Sequence, residues 1–170
     1  MKTLYIARHA KSSWDDMQVS DHDRKLLPLG KKRTTKIARW LNEHNVFPDK
    51  IISSTAIRAY KTACLLAQGM GFPEEKIEKE AAFYNADSGD IMKIIHTLPD
   101  TAERVMVVGH NPAFTNLVNL FLDWGHQINN LPTSGVVAIR FETDKWGELD
   151  LAEQQVEFLI TPKRIKEDTE

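Results

Sequence analysis

The chain has 170 residues, 42% hydrophobic and 27% charged, with 22 Lys and Arg against 24 Asp and Glu for a net charge of −2. At ~150 residues per domain this is one domain, large enough to bury a core without disulfides or metals. The charge balance argues against a nucleic-acid binder that relies on a basic surface, one cysteine excludes an internal disulfide framework, and no apolar run approaches the ~20 residues of a membrane span.

At the N-terminus, Thr3–Ala7 is a continuous apolar run, as expected of a strand buried on both faces. Arg8 interrupts it too early for a signal-peptide core, so the expectation is a soluble, cytoplasmic, monomeric protein that binds neither nucleic acid nor membrane. Ile37, Trp40, Leu41 and His44 then share one helical face. A shorter strand is predicted at Lys50–Ser53, followed by a helix whose face carries Ile57, Tyr60, Cys64 and Ala67. Ile91, Ile94, Ile95 and Leu98 form a third stripe. Arg104–Gly109 is the clearest strand, and Phe114, Leu117, Val118 and Phe121 form the fourth helical stripe. Val136–Phe141 and Val156–Ile160, with Gly147 and charged residues between them, predict a hairpin. Residues 1–161 therefore form one domain, and Pro162–Glu170, charged and mixed in sign, is expected to be a frayed tail. The alternation predicts an α/β fold: a three-layer α/β/α sandwich with a mostly parallel central sheet and one antiparallel edge strand.

In such sheets ligands bind outside the carboxyl ends of the strands. The first strand is followed at once by Arg8-His9, the second by Ser53-Ser54-Thr55 and then Arg58, and the clearest strand by His110-Asn111-Pro112. Two histidines and two arginines thus occupy the positions where this architecture places chemistry. Ser54 or Thr55 as N-cap would put Arg58 in the first turn of its helix, where a cation opposes the helix dipole by a few tenths of a kcal/mol. Asn111 as cap and Pro112 at the first helical position would open a helix beside His110, with free backbone N–H groups that favour an anion.

Other chemistries lack their residues. There is no Walker loop, Gly69-Met70-Gly71 does not continue as a dinucleotide fingerprint, and there is no Gly-x-Ser-x-Gly elbow. Cys64 has no arginine six positions on and falls on an apolar helix face. Asp21-His22-Asp23 follows no buried strand, and the histidines show no metal-ligand spacing. No metal and no cofactor is implied.

Arg8-His9-Ala10-Lys11 after the first strand, Ser54-Thr55-Ala56-Ile57-Arg58 with Thr62-Ala63 after the second, and Gly109-His110-Asn111 after a late strand resemble the histidine phosphatase superfamily. Arg-His-Ala-Lys-Ser-Ser-Trp from Arg8, the segment Asp21, Asp23, Arg24, Leu26 and the short length resemble its SixA-type phosphohistidine phosphatase branch. The resemblance runs from Lys2 to Phe141. It implies that His9 is the nucleophile and forms a phosphohistidine intermediate. Arg8, Arg58 and His110 would hold the phosphoryl oxygens, and the substrate would be phosphohistidine in a signalling protein domain. Guanidinium forks suit phosphate oxygens, and nearby arginines are expected to keep His9 neutral.

The chain departs from the family at three places. Ala10 stands where the first motif usually has glycine. Asp15 stands where larger members often carry a phosphate-contacting asparagine, and is expected to turn away and pair with a base. No acid for the leaving group is evident; Asp21, in the segment after the first motif, and Glu80, after a strand-like run at Ile77, are the candidates. A site poor in acids suits phosphoramidate better than sugar phosphates, because an imidazole leaves more readily than an alkoxide. The competing readings are a phosphatase for small phosphate esters, a phosphate-binding module without turnover, and a mutase.

Overall fold

The first strand sets the layering. In β1 (Lys2–Arg8) Leu4 and Ile6 face one side of the sheet and Tyr5 and Ala7 the other, and all four are buried. A strand apolar on both faces is a central strand of a sheet covered on both sides. The computed structural model, which describes residues 1–14 and 16–168, has that architecture. Its six strands lie in the order β3-β2-β4-β1-β5-β6. β2 (Lys50–Ser54), β3 (Glu78–Glu80) and β4 (Arg104–Gly109) run parallel to β1, while β5 (Val136–Phe141) pairs antiparallel with both β1 and β6 (Gln154–Ile160).

Helices α1 (Pro28–Glu43) and α2 (Ile57–Met70) cover one face with Ile37, Leu41, Ala59, Ala63 and Leu66, against Tyr5, Met106, Val108 and Ala138. Helices α3 (Ser88–His96) and α4 (Ala113–Asn119) cover the other with Ile91, Ile95, Phe114 and Leu117, against Leu4, Ile6, Val107 and Ile139. Each fully buried aliphatic side chain contributes about 1.5–3 kcal/mol relative to exposure, so the two apolar layers fix which way the central strands β1, β4 and β5 face.

Three elements differ from the sequence reading. The strand of reversed direction, β5, lies one place in from the edge, because the returning arm β6 covers its outer side. β3 is an edge strand that begins just after the strand-like run at Ile77; its own residues Glu-Lys-Glu are all charged, and its ladder to β2 holds it. Within the expected tail, Pro162–Asp168 forms a short helix, α5: proline fits a first helical turn, and Ile165 packs on the core shared by α1 and α2. With one apolar anchor among charged residues, that helix has too little periodicity to read. Thr169 and Glu170 of the expected tail lie outside the described residues, as does Asp15.

β1 and β4 are adjacent and parallel, with Arg8 level with Gly109. The helices that follow them leave to opposite faces, α1 to one and α4 to the other. Such a divergence opens a crevice at the carboxyl ends of the two strands. Gly109 is needed there: a Cβ would lie 2.4 Å from the Phe114 ring, which folds back under the turn into α4. Among the described residues no helix is long and apolar enough to cross a membrane.

Candidate active site

His9 is the first residue past β1 and is pinned by its backbone on both sides. Its N–H donates to the Gly109 carbonyl at 3.0 Å, and its carbonyl accepts from the Ser134 N–H at 3.2 Å. Its ring is 7% exposed. Nδ1 lies 2.7 Å from the Ala10 carbonyl oxygen. A carbonyl only accepts, so Nδ1 carries the proton and the lone pair sits on Nε2. Burial pushes the His9 imidazole down to about 3, with smaller contributions from His110, Arg58 and Arg8. The sequence reading credited the arginines; desolvation is the larger cause. At neutral pH His9 is an uncharged base with one defined nucleophilic nitrogen.

Ala10, the substitute for the family's usual glycine, is fully buried and has no positive φ, so this turn does not need a glycine. Its N–H donates to Thr62 Oγ1 at 2.8 Å, and Thr62 donates to the Arg58 carbonyl at 2.7 Å. That relay ties the turn after β1 to the first turn of α2.

Arg58 is the second residue of α2 and is 5% exposed. The residue before α2 is Ala56, with no side-chain cap, so neither Ser54 nor Thr55 takes the N-cap position. Ser54 Oγ instead accepts from the Ala56 N–H at 3.3 Å and lies 2.8 Å from His110 Nε2. The Ser54 proton is then free to go to Nε2, which places the His110 proton on Nδ1. That Nδ1 is buried and has no hydrogen-bond partner, and the same is true of Arg8 Nε and Arg58 Nε. Three buried N–H donors without protein partners are therefore concentrated on these three residues, against the rule that buried polar groups are paired.

His110 follows β4 as expected, its ring centroid 5.2 Å from that of His9. Burial, followed by Arg58, lowers it to about 4. The helix opens one place later than the sequence suggests: Pro112 is the N-cap of α4, while Asn111 Oδ1 accepts from the Thr115 N–H at 3.0 Å. Arg8 Nη1 donates to the Leu131 carbonyl at 3.0 Å, anchoring the other wall.

The four residues singled out at the strand ends, Arg8, His9, Arg58 and His110, thus line one cavity of about 590 Å³. Arg24 and Tyr84 also line it and were not identified as site residues from sequence. Arg24 donates to Asp21 at 3.0 Å and to Ser12 at 3.1 Å, with the Trp14 ring 3.5 Å from its guanidinium carbon. Tyr84 follows the edge strand β3 by four residues, so the strand-end rule would reach it only if Glu-Lys-Glu had been recognised as a strand.

The two candidate acids separate. Asp21 lines the cavity, where it accepts from Arg58 Nη2 at 3.0 Å and from the Tyr84 hydroxyl at 2.5 Å. The Tyr84 bond, then Arg58, holds its carboxyl down at about 2, overcoming partial burial. Glu80 is outside the cavity lining; its carboxylate accepts from the Ala82 N–H at 3.1 Å and caps a short helical turn. Among the described residues no cluster of three or more His, Cys, Asp or Glu is placed to hold a metal ion.

Comparison with known proteins adds four findings. The model of the histidine phosphatase superfamily (branch 1) matches residues 4–103. An uncharacterised chloroplastic protein of Arabidopsis thaliana is 32% identical over 128 residues, covering 70% of this chain and 58% of the relative, so the chain spans less than two thirds of that protein. A structure assigned to the phosphohistidine phosphatase SixA of Agrobacterium tumefaciens is 25% identical with a TM-score of 0.81, covering 95% of this chain and 98% of the other. The fold is also shared with the protein histidine phosphatase SixA in complex with tungstate, 20% identical, TM-score 0.80, covering 96% and 99%.

Proposed function

Because the chain belongs to the histidine phosphatase superfamily (branch 1), whose membership supports a phosphatase, we propose that it hydrolyses phosphohistidine in a protein substrate through a phosphorylated His9. The observation that carries this reading is the pairing of one bare nucleophilic nitrogen, His9 Nε2, with three unpartnered buried donors on Arg8, Arg58 and His110. A tetrahedral oxyanion presents several acceptors at once, and charge-assisted bonds to it are about twice as strong as neutral ones. SixA in complex with tungstate, also a tetrahedral oxyanion, supports an anion site in this fold.

In the first step the His9 Nε2 lone pair attacks phosphorus and the P–N bond to the substrate imidazole breaks. That imidazole, protonated on its other nitrogen, leaves neutral. In the second step water attacks phosphorus and the bond to Nε2 breaks. The proton on Nδ1, held by the Ala10 carbonyl, lets His9 also leave as neutral imidazole, and the water proton goes to the phosphate product. Arg8, Arg58 and His110 stabilise charge on the phosphoryl oxygens, where phosphoryl transfer depends mostly on positioning and electrostatics. With the guanidinium cations of Arg8 and Arg58 in place and neutral His110 as a further donor, the chemistry requires no metal. A cytoplasmic location belongs to the same proposal.

Asp21 favours phosphoramidate over ester substrates in this reading. It is the one carboxylate among the described cavity residues, and it is held ionised. It therefore has no proton to give an alkoxide at neutral pH, help worth about 10²–10⁴ in rate. An imidazole leaving group needs no such donor. The test compares a histidine-phosphorylated protein domain with a panel of sugar phosphates. The expected result is kcat/KM at least ~10²-fold higher on phosphohistidine; equal or better turnover of sugar phosphates contradicts the reading.

A further inference from the structure

A second and larger cavity, about 950 Å³, runs along α1 and meets the active-site cavity at Thr133, which lines both. Its charged lining is Lys32, Arg33, Lys36, Arg39 and Lys163 against the single carboxylate of Glu43. None of these five cations is paired with a carboxylate among the described residues, although the whole chain carries a net charge of −2. Lys32, Lys36, Arg39 and Glu43 recur at intervals of three and four residues and form one stripe on the outer face of α1. The wall between α1 and α5 is apolar, with Trp40, Pro132 and Ile165.

We propose that this groove docks an acidic helical face of the phosphohistidine-bearing substrate protein, a claim that rests on the function proposed above. Continuity through Thr133 means that a domain with its phosphohistidine in the catalytic cavity lies over α1. The cations from Lys32 to Arg39 are strung as a row over roughly 10 Å at 1.5 Å per residue. They match a row of carboxylates at helical spacing, with Trp40 and Ile165 receiving its apolar edge. Nucleic acid is the poorer match, because the chain as a whole, at net charge −2, carries no excess of basic residues. Charges of this kind act mainly on encounter rate and partner choice.

The test uses two forms of one histidine-phosphorylated helical domain, one with an acidic rim around the phosphohistidine and one with those carboxylates changed to amides. Wild-type enzyme and a Lys36→Glu/Arg39→Glu variant are assayed on both, and on inorganic phosphoramidate. The wild type should prefer the acidic rim by at least ~10-fold in kcat/KM, with a steep salt dependence. The variant should lose that preference while keeping wild-type turnover of phosphoramidate. Rim neutralisation that costs wild type and variant equally, or costs neither, overturns the docking claim and leaves the function intact. A wild-type enzyme that turns over phosphoramidate but neither protein overturns both. Inhibition by duplex RNA or anionic vesicles that the variant relieves, with no dependence on the rim, assigns the groove to another polyanion and also overturns the claim.

Discussion

Arg58 and Asp21 are joined twice: Nη1 donates to the Asp21 carbonyl oxygen at 2.6 Å and Nη2 to its carboxylate at 3.0 Å. A guanidinium has five N–H donors, so these two bonds aim the fork and leave three donors, the unpartnered Nε–H among them. Asp21 is thereby a positioning residue, itself held by Arg24 and Tyr84.

If Asp21 positions Arg58, Asp21→Asn lowers kcat by the same factor on substrates with good and poor leaving groups. It also lowers KM, because a negative charge has left an anion site. Were Asp21 the proton donor, the loss would grow with the pKa of the leaving group. Steady-state kinetics on a graded series of aryl phosphates separates the two.

Arg58→Ala should lower kcat/KM by at least ~10²-fold, about 2.7 kcal/mol, the scale of one preorganised donor. Arg58→Lys should recover part of that, since the ammonium keeps charge without the fork. A first-turn cation read from sequence would leave stability nearly unchanged or slightly raised on removal, because it opposes the helix dipole. The buried, doubly bonded Arg58 instead predicts a loss of about 1–3 kcal/mol, measurable by denaturant unfolding of the same preparation.

Stability should fall on acidification below neutrality. His9 and His110 are depressed from 6.5 to about 3 and about 4. Between those values and 6.5 the unfolded chain binds protons that the folded chain does not, so stability rises with pH through that window. It is fully present above 6.5 and lost as pH falls toward about 4 for His110 and about 3 for His9. His110→Asn should flatten the slope of unfolding midpoint against pH in that range; an unchanged slope contradicts the assignment.

Chelators should leave turnover unchanged, because Arg8, Arg58 and Arg24 bring three guanidinium groups to the cavity. Activity that vanishes with a chelator and returns with magnesium or zinc contradicts this.

The parts legible in the sequence are those governed by strand burial. Runs such as Thr3–Ala7 and Arg104–Gly109 are apolar on both faces, so their ends, and with them His9 and His110, can be located without coordinates. Arg58 is legible for the same reason, two places into the helix after β2. Arg24 and Tyr84 are not, since they reach the cavity from irregular segments whose course depends on long-range bonds to Asp21 and Ser12. Glu80 misled because a carboxylate just after the strand-like run at Ile77 resembles a catalytic one until its bond to the Ala82 N–H is seen. The His9 tautomer is fixed by its neighbour's carbonyl, which only the local fold reveals.

That tautomer gives the most direct test. Enzyme mixed with 32P-labelled phosphohistidine domain is quenched in alkali, where phosphohistidine survives, and the labelled peptide is mapped, with 31P NMR identifying the substituted nitrogen. The account predicts label on His9 at Nε2 in the wild type and none in His9→Ala, which should fold but not turn over substrate. Label on Nδ1, label on another residue, or phosphatase activity in purified His9→Ala would contradict it.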